Sequence, residues 1–329
     1  MARHQWVAQA DQGVRFGVQV GAVKRRTALF RWELRDEPMK VIMEAGKYIE
    51  SLGFDGLFIH DHPMLSPDPW VCLPALAVAT ERVMLGSVVN CVYYRHPAHF
   101  ARLATDVDQL SDGRLMIGIG SGWSKPEFNC FDKPFRTDVE RLKGVEETVK
   151  ILNGVWGDEP FAFEGEHFTT RNMRLNPGPV QQPHPPIMIA GVGEKVTLKQ
   201  VAQYADACNL DESKLPDAPR DIPKKIAAIE RHCEAIGRDP GEILRTHFVG
   251  WLMLAPTEAE VKEKIARYYP DGLPAAFDRF VMAGTPEQIA EWYQQRAAAG
   301  IQYFVVQMLD GTDRETLDLL ANQVAPNVK

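Results

Sequence analysis

The fold is indicated by the stretch Gly56-Leu57-Phe58-Ile59-His60-Asp61-His62, in which a short apolar run leads directly into three polar residues. Such a run is typical of a strand that is buried on both faces of a sheet. An amphipathic stretch, Met39 to Leu52, precedes it and is closed by Gly53, and Leu73 to Thr80 follows as a second helix. A short buried strand between two helices is the repeating unit of a parallel α/β sheet.

The same alternation continues along the whole chain. Seven further strands are predicted, at Phe16–Val20, Val83–Val89, Leu115–Ile119, Ile187–Ala190, Ala207–Leu210, Thr246–Leu254 and Tyr303–Met308. Helices are predicted between them, at Ala98–Leu110, Val139–Leu152, Val196–Tyr204, Ile222–Ile236, Glu258–Arg267, Pro286–Ala299 and Thr312–Val324.

Eight strands spread evenly over 329 residues favour one α/β domain, 1–329, folded as a (β/α)₈ TIM barrel. A doubly wound open sheet is the alternative. An irregular stretch rich in proline, glycine and aromatic residues, Trp156 to Pro186, is predicted as an insertion after the fourth βα unit, with a small hairpin at Phe163 to Phe168.

Charge and cysteine content exclude several classes of protein. Lysine and arginine number 37 against 44 acidic residues, a net charge of −7, so nucleic acid is not an expected partner. The five cysteines include no C-x-x-C pair, which indicates reduced thiols and a cytoplasmic protein. We find neither the apolar core of a signal peptide nor a stretch that could span a membrane.

In a barrel of this kind the active site lies at the carboxyl ends of the strands. Two imidazoles and a carboxylate at His60-Asp61-His62 suit proton transfer or metal binding, or they cap the following turn. A metal-dependent hydrolase would need further ligands, but Ala190-Gly191-Val192-Gly193 and Asn209-Leu210-Asp211 offer no histidine. We therefore predict no metal and keep the hydrolase as a minor alternative.

Two glycine-rich strand ends indicate ligand contacts. Gly120-Ser121-Gly122 approximates a dinucleotide fingerprint but has Trp123 where the third glycine belongs, so it indicates only close approach by a helix or a flat ligand. Gly191-Val192-Gly193 opens a helix whose free N–H groups suit a phosphate, although a turn without a ligand is the alternative. Ser121 lacks the G-x-S-x-G frame of a serine nucleophile.

Seven stretches of the sequence together carry a resemblance to a known family. The informative ones are Leu52–His62, Arg82–Val89, Tyr94–Pro97, Leu110–Trp123, His184–Leu198, Tyr204–Asn209 and Ala283–Gln288. Together, from Arg15 to about Leu320, they resemble the bacterial luciferase-like flavin and deazaflavin oxidoreductases, and within them the coenzyme F420-dependent group.

The resemblance implies roles for individual residues. Asp61 and His62 match the Asp-His pair near the reactive edge of the cofactor ring, where His62 would handle a proton and Asp61 would hydrogen-bond the cofactor. Val88-Val89 match a pair that forms a non-proline cis peptide behind the ring. The remaining cofactor residues implied by the resemblance are Ser87 beside that pair, Gly120, Ser121 and Gly122 on the ring and phosphate side, and Gly191, Val192 and Gly193 at the phosphate.

The resemblance also implies an activity. It predicts an enzyme that transfers a hydride between F420 and a small organic substrate, with a separate enzyme that reduces the cofactor. The alternatives are a reduced-FMN-dependent monooxygenase and a non-catalytic flavin-binding homologue. A homodimer is expected.

Other positions are particular to this chain. Trp123 replaces the glutamate that donates a proton in some deazaflavin dehydrogenases, and the nearest carboxylate, Glu127, is expected at a solvated helix start. Substrate choice is assigned to Val23–Arg35, where Trp32 is either a lid or plain surface, and to the insertion from Trp156 to Pro186.

Overall fold

The computed structural model describes residues 4–28, 31–274 and 280–329. The strands in these residues are β1 (Arg15–Val20), β2 (Val23–Ala28), β3 (Arg31–Leu34), β4 (Gly56–Ile59), β5 (Met84–Cys91), β6 (Leu115–Gly120), β7 (Phe161–Glu164), β8 (Thr169–Met173), β9 (Ile187–Ala190), β10 (Ala207–Asp211), β11 (Leu244–Leu254), β12 (Val281–Gly284) and β13 (Tyr303–Met308).

The α-helices in the same residues alternate with these strands. They are α1 (Gln5–Ala8), α2 (Pro38–Ser51), α3 (Pro69–Ala79), α4 (Pro97–Leu110), α5 (Lys125–Cys130), α6 (Asp138–Val155), α7 (Thr197–Tyr204), α8 (Ala218–Glu234), α9 (Glu258–Tyr268), α10 (Pro286–Ala298) and α11 (Arg314–Leu319). None of the helices in the described part of the chain is long and apolar enough to cross a membrane.

Eight parallel strands close into a barrel. Their order is β10, β9, β6, β5, β4, β1, β13, β11, and β11 pairs back onto β10, with Ala207 opposite Leu244. The predicted TIM barrel is confirmed, and the open sheet is excluded because this last pairing leaves the ring no free edge. β11 is long enough that its second half also pairs with β12, a strand that we did not predict.

Two antiparallel hairpins decorate the barrel. The β7–β8 hairpin lies in the predicted insertion. The β2–β3 hairpin was not predicted; it follows β1 and is anchored by a bidentate ion pair between Arg35 and Asp310, at 2.8 and 2.6 Å.

The barrel interior is filled near its amino end, where Phe58, Met116, Met188 and Tyr303 are fully buried. Trp6, just after the start of the described chain, packs edge-on against Tyr303 with ring centroids 5.4 Å apart. The amino end is therefore closed, and open space for a ligand is left to the carboxyl end.

Candidate active site

β4 delivers its polar residues in alternating directions, as an extended chain must. Phe58 belongs to the interior cluster, while Leu57 and Ile59 pack outward against the helices. His60 and His62 continue the inward series, and Asp61 continues the outward one. The side chains of His60 and Asp61 therefore point in different directions, towards Trp32 and towards Arg95 respectively.

His62 lies at the barrel mouth and contacts a buried carboxylate. Its Nδ1 is 3.0 Å from both carboxylate oxygens of Glu127 in α5, and the hydroxyl of Tyr94 donates to Glu127 Oε2 at 2.9 Å. The Glu127 side chain has no exposed surface. The expectation of a solvated helix start was therefore wrong, because α5 turns Glu127 back under the barrel mouth.

The charge state of Glu127 follows from these contacts. Burial by itself raises the pKa of a carboxyl, but the hydrogen bonds from His62 and Tyr94 outweigh it and hold the pKa of Glu127 below its usual range. Burial, with Glu127 adding to it, raises the pKa of the Tyr94 phenol, so Tyr94 stays a donor. The carboxylate is thus ionised and can stabilise a protonated His62.

Asp61 has different partners from those expected. Its carboxylate accepts from the Arg95 guanidinium at 2.9 and 3.2 Å and from the Cys91 amide at 3.1 Å. Arg95 also reaches Asp68 at 2.6 Å. Burial raises the pKa of Asp61 and Arg95 partly offsets this. Asp61 thereby ties β4 to the end of β5, and its contact with a cofactor stays a prediction.

The His60 ring is almost completely buried. Only 2% of it is exposed, and neither ring nitrogen has a partner among the described residues. Burial, helped by the nearby His62, lowers the pKa of His60 to about 3, so the ring is neutral. Trp32 of the β2–β3 hairpin lies edge-on to it at 5.4 Å, which places Trp32 over the interior rather than on plain surface.

The β5 segment carries the predicted cis peptide between Val88 and Val89. The amide of Gln19 donates to the Val88 carbonyl, and Gln307 donates to Gln19 at 2.8 Å. Ser87 is buried beside this segment and accepts from Asn90. The β5–β6 pairing shifts register here.

The glycines of β6 make room for that segment. A Cβ on Gly118 would overlap the Ser87 carbonyl oxygen, and one on Gly120 would lie 2.9 Å from Val89. At these two glycines the close neighbour is therefore the backbone or side chain of β5. The sequence had predicted a helix or a flat ligand there. At Gly122, with φ +74°, the close neighbours of an added Cβ are Cys91 of β5, at 2.5 Å, and Phe128 of α5, at 2.7 Å. Ser121, between these glycines, stays a predicted cofactor residue.

The turn after β9 offers unpaired donors. The Gly191 amide bonds to the Asn209 carbonyl at 3.0 Å, whereas no acceptor within the described residues is found for the amides of Val192, Gly193 and Glu194. α7 begins three residues later. Free amides before a helix fit an anionic group such as a phosphate.

The sequence predicted that His62, the Val88-Val89 pair and the glycine segments Gly120–Gly122 and Gly191–Gly193 lie at the same end of the barrel. It missed Tyr94 and Arg95 as contacts of Glu127 and Asp61, although both lie in a stretch it singled out. The signal for Glu127 was weaker, since only folding of α5 brings it to His62. Trp123 borders the site, edge-on to His62 at 5.4 Å.

Fold and site together define a (β/α)₈ barrel whose carboxyl end holds a histidine–carboxylate pair and a glycine turn that leads into a helix. The chain belongs to the luciferase-like monooxygenase family, whose model matches residues 22–279. This family of oxidoreductases and monooxygenases has both F420-dependent and FMN-dependent members among the proteins that resemble this chain.

The similarity to individual proteins is moderate. The chain is 29% identical over 200 residues to the F420-dependent hydroxymycolic acid dehydrogenase of Mycobacterium tuberculosis, covering 58% of this chain and 53% of that protein. It is 26% identical over 237 residues to the FMNH₂-dependent dimethylsulfone monooxygenase of Pseudomonas putida, covering 70% and 62% respectively. The chain thus matches less than two thirds of the length of either relative.

A solved structure supports the fold. The coenzyme F420-dependent tetrahydromethanopterin reductase of Methanopyrus kandleri superimposes with a TM-score of 0.76 at 20% identity, over 96% of this chain and 99% of that one.

Proposed function

We propose that this chain is an F420-dependent oxidoreductase that transfers a hydride between the deazaflavin and a small organic substrate. The observation that carries the proposal is the buried Glu127 carboxylate on His62 Nδ1, at the mouth of a luciferase-like barrel. The similarity to the F420-dependent dehydrogenase supports the choice of cofactor. When bound, a reduced deazaflavin supplies a hydride and reacts poorly with oxygen.

Three features of the chain fit such a cofactor. The free amides at Val192 and Gly193 suit its phosphate. Val88-Val89, with the adjoining Ser87 and the Gly120–Gly122 segment, offers a wall for a planar ring. His60 presents one N–H donor and one lone pair to the interior, and a buried polar group of this kind calls for a partner.

His62 handles the proton that accompanies the hydride. With Nδ1 on Glu127, Nε2 is the nitrogen left for the substrate. For a carbonyl substrate the imidazolium gives its proton to the oxygen as the C=O bond becomes C–O–H. For an alcohol the neutral ring takes the hydroxyl proton as the C=O bond forms. In both directions Glu127 stabilises the charged ring, so it is a positioning residue.

A reduced-FMN monooxygenase is the second candidate, favoured by the similarity to the dimethylsulfone monooxygenase. It would consume oxygen and require a separate reductase. The non-catalytic alternative loses support, because it needs both Asp61 and His62 turned away from the mouth and only Asp61 is. We also propose a homodimer, which sizing chromatography tests.

The decisive experiment is a fluorescence titration of the purified protein with F420 and, separately, with FMN. We expect saturable binding of F420. A Gly191→Ala variant should weaken that binding, because Gly191 has φ +135° and a Cβ there would lie 2.9 Å from Thr197. Gly178→Ala is the matched control, since a Cβ at Gly178 meets nothing within 4 Å. Tight FMN binding without any response to F420 would replace the first candidate by the second.

A further inference from the structure

A second group of potential ligands lies at the opposite, amino end of the barrel. His4 precedes α1, His184 lies in the insertion just before β9, and Asp206 lies just before β10. One ring nitrogen of each histidine and one oxygen of Asp206 lie within 4.8 Å of one another. From the sequence we predict no metal, so an ion bound by this group would overturn that prediction.

His4 is the member that calls for a ligand. Its side chain is 7% exposed, and its Nε2 has no hydrogen-bond partner among the described residues. That nitrogen lies 3.8 Å from Asp206 Oδ1, beyond hydrogen-bonding distance. A buried nitrogen without a hydrogen bond destabilises the fold, so an additional partner between these atoms would be stabilising.

The other two members are already oriented by their surroundings. Asp206 Oδ2 accepts from the Ile187 amide at 2.8 Å, which leaves Oδ1 turned towards His4. His184 Nδ1 lies 2.9 Å from the Pro185 carbonyl, and its ring stacks on Trp156 at 5.7 Å. Ligands held in this way by outer hydrogen bonds are typical of protein metal sites.

We propose that His4, His184 and Asp206 bind a divalent first-row transition ion, with Zn²⁺ as the probe. Two imidazoles and one carboxylate form a common three-ligand zinc set, with water completing the tetrahedron. Zinc–ligand bonds of about 2.0–2.2 Å place neighbouring ligand atoms roughly 3.3 Å apart. The distance between His4 Nε2 and Asp206 Oδ1, now 3.8 Å, therefore needs to shorten by well under 1 Å.

The charges suit a cation. Burial lowers the pKa of His4, with Asp206 partly opposing, so the ring is neutral and has a lone pair to give near neutral pH. Asp206 adds the one carboxylate of the group.

The proposed site would be structural. It joins the beginning of the described chain to the strands β9 and β10, and Trp6, two residues after His4, plugs the barrel interior. An ion here would hold this plug in place and raise stability by binding only the folded state. The proposal is independent of the cofactor at the other end.

The test uses metal-free protein without an added histidine tag. Calorimetric titration with Zn²⁺ should show one site in the wild type, and Co²⁺ should give the visible absorption of a low-symmetry complex. His4→Gln and Asp206→Asn should each weaken Zn²⁺ binding by at least about 10–100-fold. Asparagine keeps an oxygen for the Ile187 amide, so this variant should still fold. His99→Ala, at an exposed position, is the matched control and should bind as the wild type does.

Thermal unfolding gives a second measurement. Zn²⁺ should raise the Tm of the wild type and of His99→Ala but not that of the two ligand variants. The proposal is overturned if the wild type binds no Zn²⁺, or if His4→Gln and Asp206→Asn bind it as tightly as the control.

Discussion

Replacing Glu127 by glutamine tests the proposed proton chemistry most directly. Glutamine keeps the size of the side chain and one oxygen acceptor, but it removes the charge that faces His62 at 3.0 Å. Hydrogen bonds to a charged group contribute about 1.5–3 kcal/mol. Because about 1.36 kcal/mol corresponds to tenfold in rate, turnover should fall by about 10–150-fold.

His62→Ala should cost more, since it removes the proton-handling group itself. We expect turnover to fall by ~10²–10⁴, with cofactor affinity within a few-fold of wild type. Added imidazole should restore part of the lost activity. The double variant should be no slower than His62→Ala, because Glu127 acts through His62 and has nothing left to position.

The assay follows the absorbance of F420 with a panel of carbonyl compounds and alcohols, and cofactor affinity is measured by fluorescence. Glu234→Gln is the matched control, since Glu234 is exposed at the end of α8 and lies outside the segments to which substrate choice is assigned. The reasoning is refuted if Glu127→Gln turns over like this control. It is also refuted if His62→Ala abolishes cofactor binding while the rate at saturating cofactor is unchanged.

Three further predictions concern stability. The pKa of His60 is about 3 in the fold and near 6.5 in the unfolded chain. The free energy of unfolding therefore carries the full contribution of a neutral His60 above pH 6.5 and loses it as the pH falls, by about 2 kcal/mol between pH 7 and 5. His60→Leu should remove this loss in denaturant titrations at the two pH values. If the free energies of unfolding of the wild type and the variant depend on pH in the same way, His60 is not buried as described. Gly122→Ala should destabilise the protein by about 1–3 kcal/mol, since its φ is +74° and a Cβ would lie 2.5 Å from Cys91 Sγ and 2.7 Å from the Phe128 ring, whereas Gly178→Ala should change the denaturation midpoint little. Asp310→Asn should cost about 1.5–3 kcal/mol by leaving Arg35 without its charged partner, and an unchanged free energy of unfolding would contradict that anchor.

Asp310 also predicts the direction in which stability changes in acid. Burial tends to raise the pKa of its carboxyl, but Arg35 and Tyr268 hold that pKa below its usual range. The stabilisation is therefore complete above the ordinary carboxyl range near pH 4 and is lost as the pH falls through the lower folded value.

Much of the barrel was predictable because its signals are local. The run Gly56–Ile59, the glycine after α2 and the spacing of the strands each depend on neighbours in the chain. β12 escaped prediction because it is four residues long and gains its pairing from the far half of β11. The β2–β3 hairpin escaped because β2 carries an unbroken charged run, Lys24-Arg25-Arg26, and the alternation of β3 covers only four residues.

The candidate site also contains residues that the local sequence indicated and residues that it did not. His62 and Asp61 were found because they end a strand, and ends of barrel strands meet. Glu127 was misplaced because nothing in its local sequence distinguishes an exposed helix start from one folded against His62. The group formed by His4, His184 and Asp206 joins positions up to 202 residues apart, which no local pattern reveals.

The sequence by itself therefore determined the barrel, the end that carries the site and the residues at the strand ends, because hydrophobic periodicity and strand polarity are encoded locally. Only the tertiary structure decided which charges face each other. It paired Glu127 with His62, turned Asp61 to Arg95 and left the ring nitrogens of His60 without a hydrogen bond to any described residue. Those outcomes depend on distances between separate elements, and distances of that kind arise only when the chain packs.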